Sequence, residues 1–262
     1  MKKRILLKIG SNTLTKETNQ ISRGKIEDIG RQIAVLKDNY EFVIVSSGAI
    51  AAAKQFVKLE HNGEEINVKQ ALAAIGQPHL MRMFQESFRE LGLFSAQCLL
   101  SYSDFENPKS KANIKNTIDI LVGNNFIPII NENDTVAADE IQFGDNDKLA
   151  ALTAALLKAD LLMIATNTNG IYTKISIDNG QPETIPEVLG VSSLQQEVSS
   201  GKSSHGTGGM QSKVEAATIA QEAGIETWIV NGLNDSFITD AFAGSGKHTK
   251  IKTKDGHFLE DH

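Results

Sequence analysis

The fold is decided by the stretch Glu41-Phe-Val-Ile-Val-Ser-Ser-Gly-Ala-Ile-Ala-Ala52. It begins as an unbroken apolar run, which is typical of a strand covered on both faces, and passes through Ser47 and Gly48 into an alanine-rich helix. Similar runs recur at residues 4–9, 94–100, 126–131, 160–165 and 226–231. Because helical patterns separate these strands, we predict an α/β fold in which helices cover both faces of a largely parallel sheet.

Three amphipathic helices are predicted between the strands. Apolar residues repeat at spacings of three and four over residues 26–36, with Ser22 as the N-cap. The same spacing recurs over residues 114–122, where Gly123 ends the helix, and over residues 149–157. These faces would bury one side of each helix against the sheet.

Composition excludes several classes of protein. The formal charge of -6 argues against nucleic acid as the main partner, and 40% hydrophobic with 22% charged residues is ordinary for a soluble protein. The single cysteine, Cys98, excludes an intramolecular disulfide and fits a reducing cytoplasm. The basic and apolar start breaks at Lys8 without a cleavage site, and no apolar run is long enough to span a membrane. We therefore expect a soluble, cytoplasmic protein with no membrane partner.

Two regions are predicted to lack long regular elements. Residues 171–204 are rich in Ser, Gly, Pro and Asn, which favours loops or a small hairpin over the site. Residues 250–262 are polar and charged, so we expect a fraying tail. The organisation that follows is a single domain over residues 1–251 and a polar tail over residues 252–262.

Two small-residue turns follow the first strands, at the edge where α/β sheets bind ligands. Lys8 is followed by Gly10 and Ser11, a combination that suits an anion facing an ammonium group and backbone amides. Ser47 and Gly48 open a helix whose free N–H groups suit a carboxylate or a phosphate. Each segment alone has a plain alternative, a surface lysine before a turn and an ordinary serine N-cap.

Two acid-rich loops come after the fourth strand. Asn131-Glu-Asn-Asp134 leaves an apolar strand directly, and Gly144-Asp-Asn-Asp147 follows a short β-like segment. An amino-acid ligand needs a carboxylate for its ammonium group and amides for its carboxylates, and these loops supply both. The second loop also suits magnesium, held directly or through water. The alternative is a pair of solvated acidic loops.

Nucleotide-binding features lie later in the chain. Thr166 and Asn167 follow the fifth strand and are polar residues suited to a nucleotide edge. Gly206-Thr-Gly-Gly-Met-Gln-Ser-Lys213 opens an alanine-rich helix, where glycine amides can surround phosphates and the lysine adds a mobile charge. The spacing is not that of a Walker A loop. Gly244-Ser-Gly-Lys-His248 is predicted to be a turn, and the histidines have no zinc-ligand spacing.

Together these segments resemble the amino acid kinase family, and within it the kinases of the glutamate side-chain carboxylate. The matching motifs run in family order to about residue 251: Lys8-Ile-Gly-Ser11, Ile44-Val-Ser-Ser-Gly-Ala-Ile-Ala-Ala52, Leu72-Ala-Ala-Ile-Gly-Gln77, Pro128-Ile-Ile-Asn-Glu-Asn-Asp134, Gly144-Asp-Asn-Asp147 and Thr207-Gly-Gly-Met210 with Lys213.

The resemblance implies an αβα sandwich that binds glutamate over its amino-terminal half and ATP over its carboxyl-terminal half. Lys8 and Lys213 would stabilise the transferring phosphoryl group, and Asp147 would orient both lysines or the magnesium ion. The residues that would bind glutamate are Ser47, Gly48, Asp134, Asp145 and Asn146. The residues that would bind ATP are Lys8, Gly10, Ser11, Thr166, Asn167, Thr207, Gly208, Gly209, Met210, Gln211, Ser212 and Lys213.

The resemblance also implies a place in metabolism and a mode of regulation. The reaction would be the first step of proline biosynthesis, with L-proline as feedback inhibitor, in a homo-oligomer (a dimer or a tetramer). Two departures stand out. Asn167 occupies a position where the family usually has aspartate, and the chain ends before the RNA-binding-like domain that many members carry, so we expect the single-domain form.

Two other functions remain open at this point. One is a sibling kinase of acetylglutamate, aspartate, carbamate or uridylate; Asn131–Asp134 with Asn146 favours free glutamate over these. The other is a non-catalytic sensor of nucleotide or amino acid. The presence of Lys8, Lys213 and Asp147 together argues against a sensor, because binding alone does not require all three.

Overall fold

The protein is built around one eight-stranded sheet, in a computed structural model that describes residues 2–16, 18–59, 65–136, 146–194 and 209–253. The strands are β1 (Lys3–Ile9), β2 (Tyr40–Ser46), β3 (Phe94–Leu100), β4 (Phe126–Glu132), β5 (Leu161–Thr166), β6 (Glu187–Leu189), β7 (Glu226–Asn231) and β8 (His248–Lys252). Their order across the sheet is β3-β4-β2-β1-β5-β7-β8-β6. Six strands run parallel, whereas β8 pairs antiparallel with β7 and parallel with β6.

Helices cover both faces of this sheet. They are α1 (Ser11–Thr15), α2 (Arg23–Leu36), α3 (Ala49–Lys54), α4 (Ile66–Arg89), α5 (Pro108–Gly123), α6 (Asp147–Leu157), α7 (Lys174–Asp178), α8 (Met210–Glu222) and α9 (Phe237–Ala243). Single 3-10 turns lie at Tyr102–Phe105 and Val191–Leu194. The prediction of an αβα sandwich with a largely parallel sheet is confirmed.

Alternating side chains of the central strands build two separate cores. Ile5 and Leu7 of β1 face α2, α4 and α9, where the core includes Ile29 and Phe84. Leu6, between them, belongs to the opposite core with residues of α5, α6 and α8. Because both faces are covered, each of these strands carries an unbroken apolar run, such as Ile5–Leu7 in β1 and Phe42–Val45 in β2, which is the pattern that the sequence shows.

Local signals account for several element boundaries. Ser22 caps α2 as predicted, since its side chain accepts a hydrogen bond from the Lys25 N–H. Gly48 precedes α3 with a φ of 107°, a conformation that favours glycine. Gly76 of α4 lies against α3: a Cβ at this position would approach the Ala49 carbonyl oxygen to 1.8 Å, so only glycine permits this packing.

The structure corrects two expectations about the carboxyl-terminal part. Lys250–Lys252 do not belong to a fraying tail, because strand β8 pairs with β7 and its Ile251 is buried. Residues 171–204 contribute more than loops: Glu187–Leu189 extends the main sheet as β6. Strands β6 and β8 are short, so the local sequence patterns that could predict them are weak. Gly244 ends α9 in the left-handed conformation, which confirms the predicted turn before His248.

The parallel topology places the predicted ligand-binding segments at one edge of the sheet. Register pairs Ile9 with Ser46 on one side and with Ala165 on the other, so the chain leaves β1, β2 and β5 at the same level. Over the residues that the structure describes, no helix has the length and apolar character needed to cross a membrane.

Candidate active site

The centre of the site is one carboxylate between two lysines. Asp147 Oδ1 lies 2.6 Å from Lys8 Nζ, and Asp147 Oδ2 lies 3.0 Å from Lys213 Nζ. All three side chains are buried, with exposed fractions of 0% for Asp147, 3% for Lys8 and 7% for Lys213. The cluster therefore carries one net positive charge in a region with little water.

Three different elements bring these charges together. Lys8 lies near the end of β1, and Asp147 is the first residue of α6, where the helix dipole favours a negative charge. Lys213 lies at the start of α8 beside Ser212, whose hydroxyl is 2.9 Å from Asp147 Oδ2 and 2.8 Å from the Gly209 carbonyl oxygen. Gly10 borders Lys8, since a Cβ there would lie 3.5 Å from Nζ, which is an ordinary van der Waals distance.

Opposing effects set the protonation of Asp147. Burial by itself would raise the pKa of this carboxyl, but the ammonium groups of Lys8 and Lys213 outweigh burial and hold the pKa well below its ordinary value. Asp147 is thus ionised at neutral pH. A negative charge that both lysines share keeps two mutually repelling ammonium groups within a few ångströms of each other.

The amino-terminal half of the site holds two buried polar groups that face no described partner. Ser47 is 4% exposed and Asp134 is 6% exposed, and no described residue offers a hydrogen bond to Ser47 Oγ or Asp134 Oδ1. Burial raises the pKa of the Asp134 carboxyl to about 6. A buried polar group without a hydrogen-bond partner lowers the stability of the ligand-free protein. Such groups are typical of ligand-binding sites, where the ligand supplies the partner.

Asn146 connects this half to the cluster of Lys8, Asp147 and Lys213. Its Nδ2 donates to the Ser46 carbonyl oxygen at 3.0 Å and to Asn131 Oδ1 at 2.8 Å. The end of β2, the end of β4 and the start of α6 therefore meet at one fully buried amide, directly before Asp147 in the chain.

Besides Lys8, Gly10 and Ser11 after β1, the predicted nucleotide-binding residues that the structure describes lie at the end of β5 and the start of α8. Thr166 is the last residue of β5, and its carbonyl oxygen accepts a hydrogen bond from the Gly232 N–H after β7. At α8, the Met210 side chain packs against a small apolar core and Gln211 Nε2 donates to Glu215 on the exposed face. The side chains of both residues are therefore engaged within the protein.

Three predicted site residues, Asp145, Thr207 and Gly208, lie outside the described residues. Among the others, the structure joins Lys8, Asp147, Ser212 and Lys213 in direct contact. Ser11 begins α1 directly after Gly10, and Asn167 directly follows β5.

Sequence reasoning missed two features of this site. The contact between the Ser212 hydroxyl and Asp147 was not anticipated, while the binding of nucleotide by Ser212 stays a prediction. Gln77 was part of a matching motif without a role, yet its Oε1 accepts a hydrogen bond of 2.9 Å from Asn131 Nδ2. The available signal was its position on the buried face of α4, between Ala73 and Leu80, where a polar residue needs a partner.

Comparison with known proteins now decides the family. The sequence model of the "Amino acid kinase family" matches residues 3–231. The chain belongs to this family. A glutamate 5-kinase of Alkaliphilus metalliredigens (strain QYMF) is 39% identical over 249 residues, which are 94% of each chain. A glutamate 5-kinase of Geobacter sulfurreducens is 41% identical over 244 residues, but the match covers only 65% of that longer protein.

Two solved structures share the fold at low sequence identity. Carbamate kinase from Giardia lamblia bound to AMP-PNP matches with a TM-score of 0.68 and 16% identity, over 96% of this chain and 99% of that one. UMP kinase from Ureaplasma parvum matches with a TM-score of 0.63 and 18% identity, over 97% and 100% of the two chains. These similarities support the αβα architecture and no more.

Proposed function

We propose that this protein transfers the γ-phosphoryl group of ATP to the side-chain carboxylate of L-glutamate, which yields L-glutamyl 5-phosphate and ADP. The observation that carries the proposal is the buried Lys8–Asp147–Lys213 cluster. Two relatives of 39% and 41% identity named glutamate 5-kinase support the choice of glutamate as acceptor.

The cluster is suited to phosphoryl transfer because charge stabilisation is the main task of the protein in this reaction. A side-chain carboxylate oxygen of glutamate attacks the γ-phosphorus, and the bond from that phosphorus to the bridging oxygen of ADP breaks. Negative charge is spread over the phosphoryl oxygens as this happens. Lys8 and Lys213 meet at Asp147 from two elements, so they can neutralise that charge from two directions.

No general base is needed in this reaction. The γ-carboxylate of glutamate is ionised at neutral pH and is already a nucleophile. Catalysis then depends on alignment of the acceptor with the γ-phosphoryl group. Asp147 acts through the lysines as a positioning residue, and Ser212 holds one of its oxygens.

The substrate half fits an amino acid. The buried Asp134 carboxylate suits the ammonium group of glutamate. Burial disfavours the ionised form of this carboxyl, and a bound cation would stabilise that form. Ser47 Oγ and the backbone N–H groups at the start of α3 suit a carboxylate. Glutamate would lie between Asp134 and the lysines.

The nucleotide half fits the polyphosphate. The thirteen-residue helix α8 begins at Met210, so the N–H groups of its first turn have no acceptor within the helix, and Lys213 lies close to them. Magnesium, which neutralises phosphate charge in kinases, would be carried by the ATP phosphates. Both Asp147 oxygens face ammonium groups, so this carboxylate suits a metal only through water. Within the described part of the chain, no three acidic, histidine or cysteine side chains converge to hold a metal.

The test is ADP release by purified protein with MgATP and, in parallel, glutamate, aspartate, acetylglutamate and UMP. Hydroxylamine is added in a second series, because an acyl phosphate reacts with it to give a hydroxamate and inorganic phosphate. We expect ADP release and hydroxamate with glutamate. Release without hydroxamate, or a clear preference for another acceptor, would contradict the proposal.

A further inference from the structure

A chain of side-chain amides runs from the edge strand β3 to the start of α6. Gln77 Nε2 donates to Gln97 Oε1 at 3.0 Å, Asn131 Nδ2 donates to Gln77 Oε1 at 2.9 Å, and Asn146 Nδ2 donates to Asn131 Oδ1 at 2.8 Å. The amides of Asn131 and Asn146 are almost fully buried and that of Gln77 is 8% exposed. In each of these hydrogen bonds, the amide nearer to α6 donates to the amide nearer to β3.

Backbone groups set this direction. The Glu132 N–H donates to Asn131 Oδ1 at 2.9 Å, and a backbone N–H has no acceptor function. At the other end, Asn146 Nδ2 donates to the Ser46 carbonyl oxygen at 3.0 Å, and a carbonyl has no donor function. Neither amide can therefore be turned over without losing a backbone partner. Asn131 must therefore donate from its NH2 group to Gln77, and Gln77 must accept with its side-chain carbonyl oxygen.

The direction of the chain determines what Asn146 presents to a ligand. Its NH2 group donates to Ser46 and Asn131, so Asn146 can interact with a ligand only through Oδ1, which accepts hydrogen bonds. Asp134, in the same half of the site, contributes a second acceptor. Two acceptors suit a group with several N–H donors and a positive charge, which in an amino acid is the ammonium group.

We propose that Gln77 is a positioning residue for the amino group of the substrate. By accepting from Asn131, it holds Asn131 and then Asn146 in the orientation that presents Asn146 Oδ1 to the ammonium group. This inference rests on the proposed function, since it deepens the recognition of the same amino-acid substrate.

The packing of α4 gives Gln77 the rigidity that such a role requires. The preceding residue, Gly76, lies in backbone contact with α3, the helix that Ser47 and Gly48 introduce. Helix α4 therefore packs directly against the helix that follows Ser47 and Gly48 in the proposed glutamate-binding half of the site. Because Gln77 is on the buried face of this helix, its hydrogen bond fixes Asn131 relative to α4.

Three variants test the role. Gln77→Leu keeps the approximate volume but removes the acceptor, and we expect the KM for glutamate to rise about tenfold, the effect of one hydrogen bond. The KM for ATP and kcat should change less than about twofold, because the lysine cluster is untouched. Gln77→Glu keeps an acceptor for Asn131, and the exposed Gln97 can turn to donate, so the KM for glutamate should return to within about threefold of wild type. Gln97→Leu, the matched control beyond Gln77, should leave the KM unchanged.

The outcomes separate this inference from the function on which it rests. Wild-type protein without glutamate-dependent ADP release would refute the function itself. Active wild type with an unchanged glutamate KM in Gln77→Leu would refute only the positioning role. Equal losses in Gln77→Leu and Gln77→Glu, or parallel rises in both KM values, would also overturn it, since they indicate a packing defect.

Discussion

Replacing Asp147 with asparagine removes the negative charge between Lys8 and Lys213 while nearly preserving the volume of the side chain. The two ammonium groups then remain buried with no carboxylate between them. Loss of one partner from a buried ion pair costs about 3–5 kcal/mol. We expect the free energy of unfolding to fall by that amount, and the midpoint of thermal unfolding to fall by roughly 10 °C for a chain of this size.

A matched control shows whether the loss of stability comes from burial of the carboxylate or only from the two cations beside it. Asp119 also lies between two cations, Arg4 and Lys115, but its side chain is 34% exposed. Solvent screens such pairs, so Asp119→Asn should cost less than about 1 kcal/mol. Urea unfolding of the wild type and both variants at pH 7 gives the comparison directly.

Acid provides a second measurement on the same variant. The pKa of Asp147 is held below its ordinary value of 3.8, so its contribution to stability is present above that pH and is lost as the pH falls through the lower value in the folded protein. The difference between wild type and Asp147→Asn should therefore shrink in strong acid. If Asp147→Asn were as stable as Asp119→Asn at pH 7, the lysines would not depend on this carboxylate and the reasoning would fail.

The other predictions concern turnover and ligands. Lys8→Ala and Lys213→Ala should each lower kcat on the order of 10²–10³-fold in the ADP-release assay; near-normal kcat would remove that lysine from catalysis. Asp134, with its pKa raised to about 6, should lose its charge as the pH falls below 6, so the KM for glutamate should rise there while that for ATP does not. The stability that its protonated form contributes below pH 3.8 is lost as the pH rises through 6, so Asp134→Asn should stabilise the ligand-free protein at pH 7.5 in urea unfolding. Equal stability of the two proteins would contradict the raised pKa of Asp134. L-proline should raise the KM for glutamate without changing kcat, because it offers an α-carboxylate and a charged amine but no acceptor carboxylate, and no effect at millimolar proline would contradict this.

Most of the parallel core was predictable from the sequence. All six predicted strands agree with the structure to within one residue at each end, because apolar runs with small-residue turns are strong local signals. Strands β6 and β8 were not located. They have five residues or fewer, and β8 is polar at several positions, so their existence depends on pairing with β7 and with each other.

By itself the sequence determined the fold class, the order of the ligand-binding segments and the candidacy of Lys8, Asp147 and Lys213. Lys8 follows from local pattern, since it lies near the end of a strand at the ligand-binding edge. Asp147 and Lys213 follow from the resemblance of their motifs to the amino acid kinase family. The tertiary structure alone decided that one carboxylate joins both lysines across separations of 139 and 66 residues, and that Gln77 reaches Asn131 across 54 residues. Contacts of this kind leave no periodicity in a chain, because they arise only when helices and strands pack and every buried polar group must find a partner.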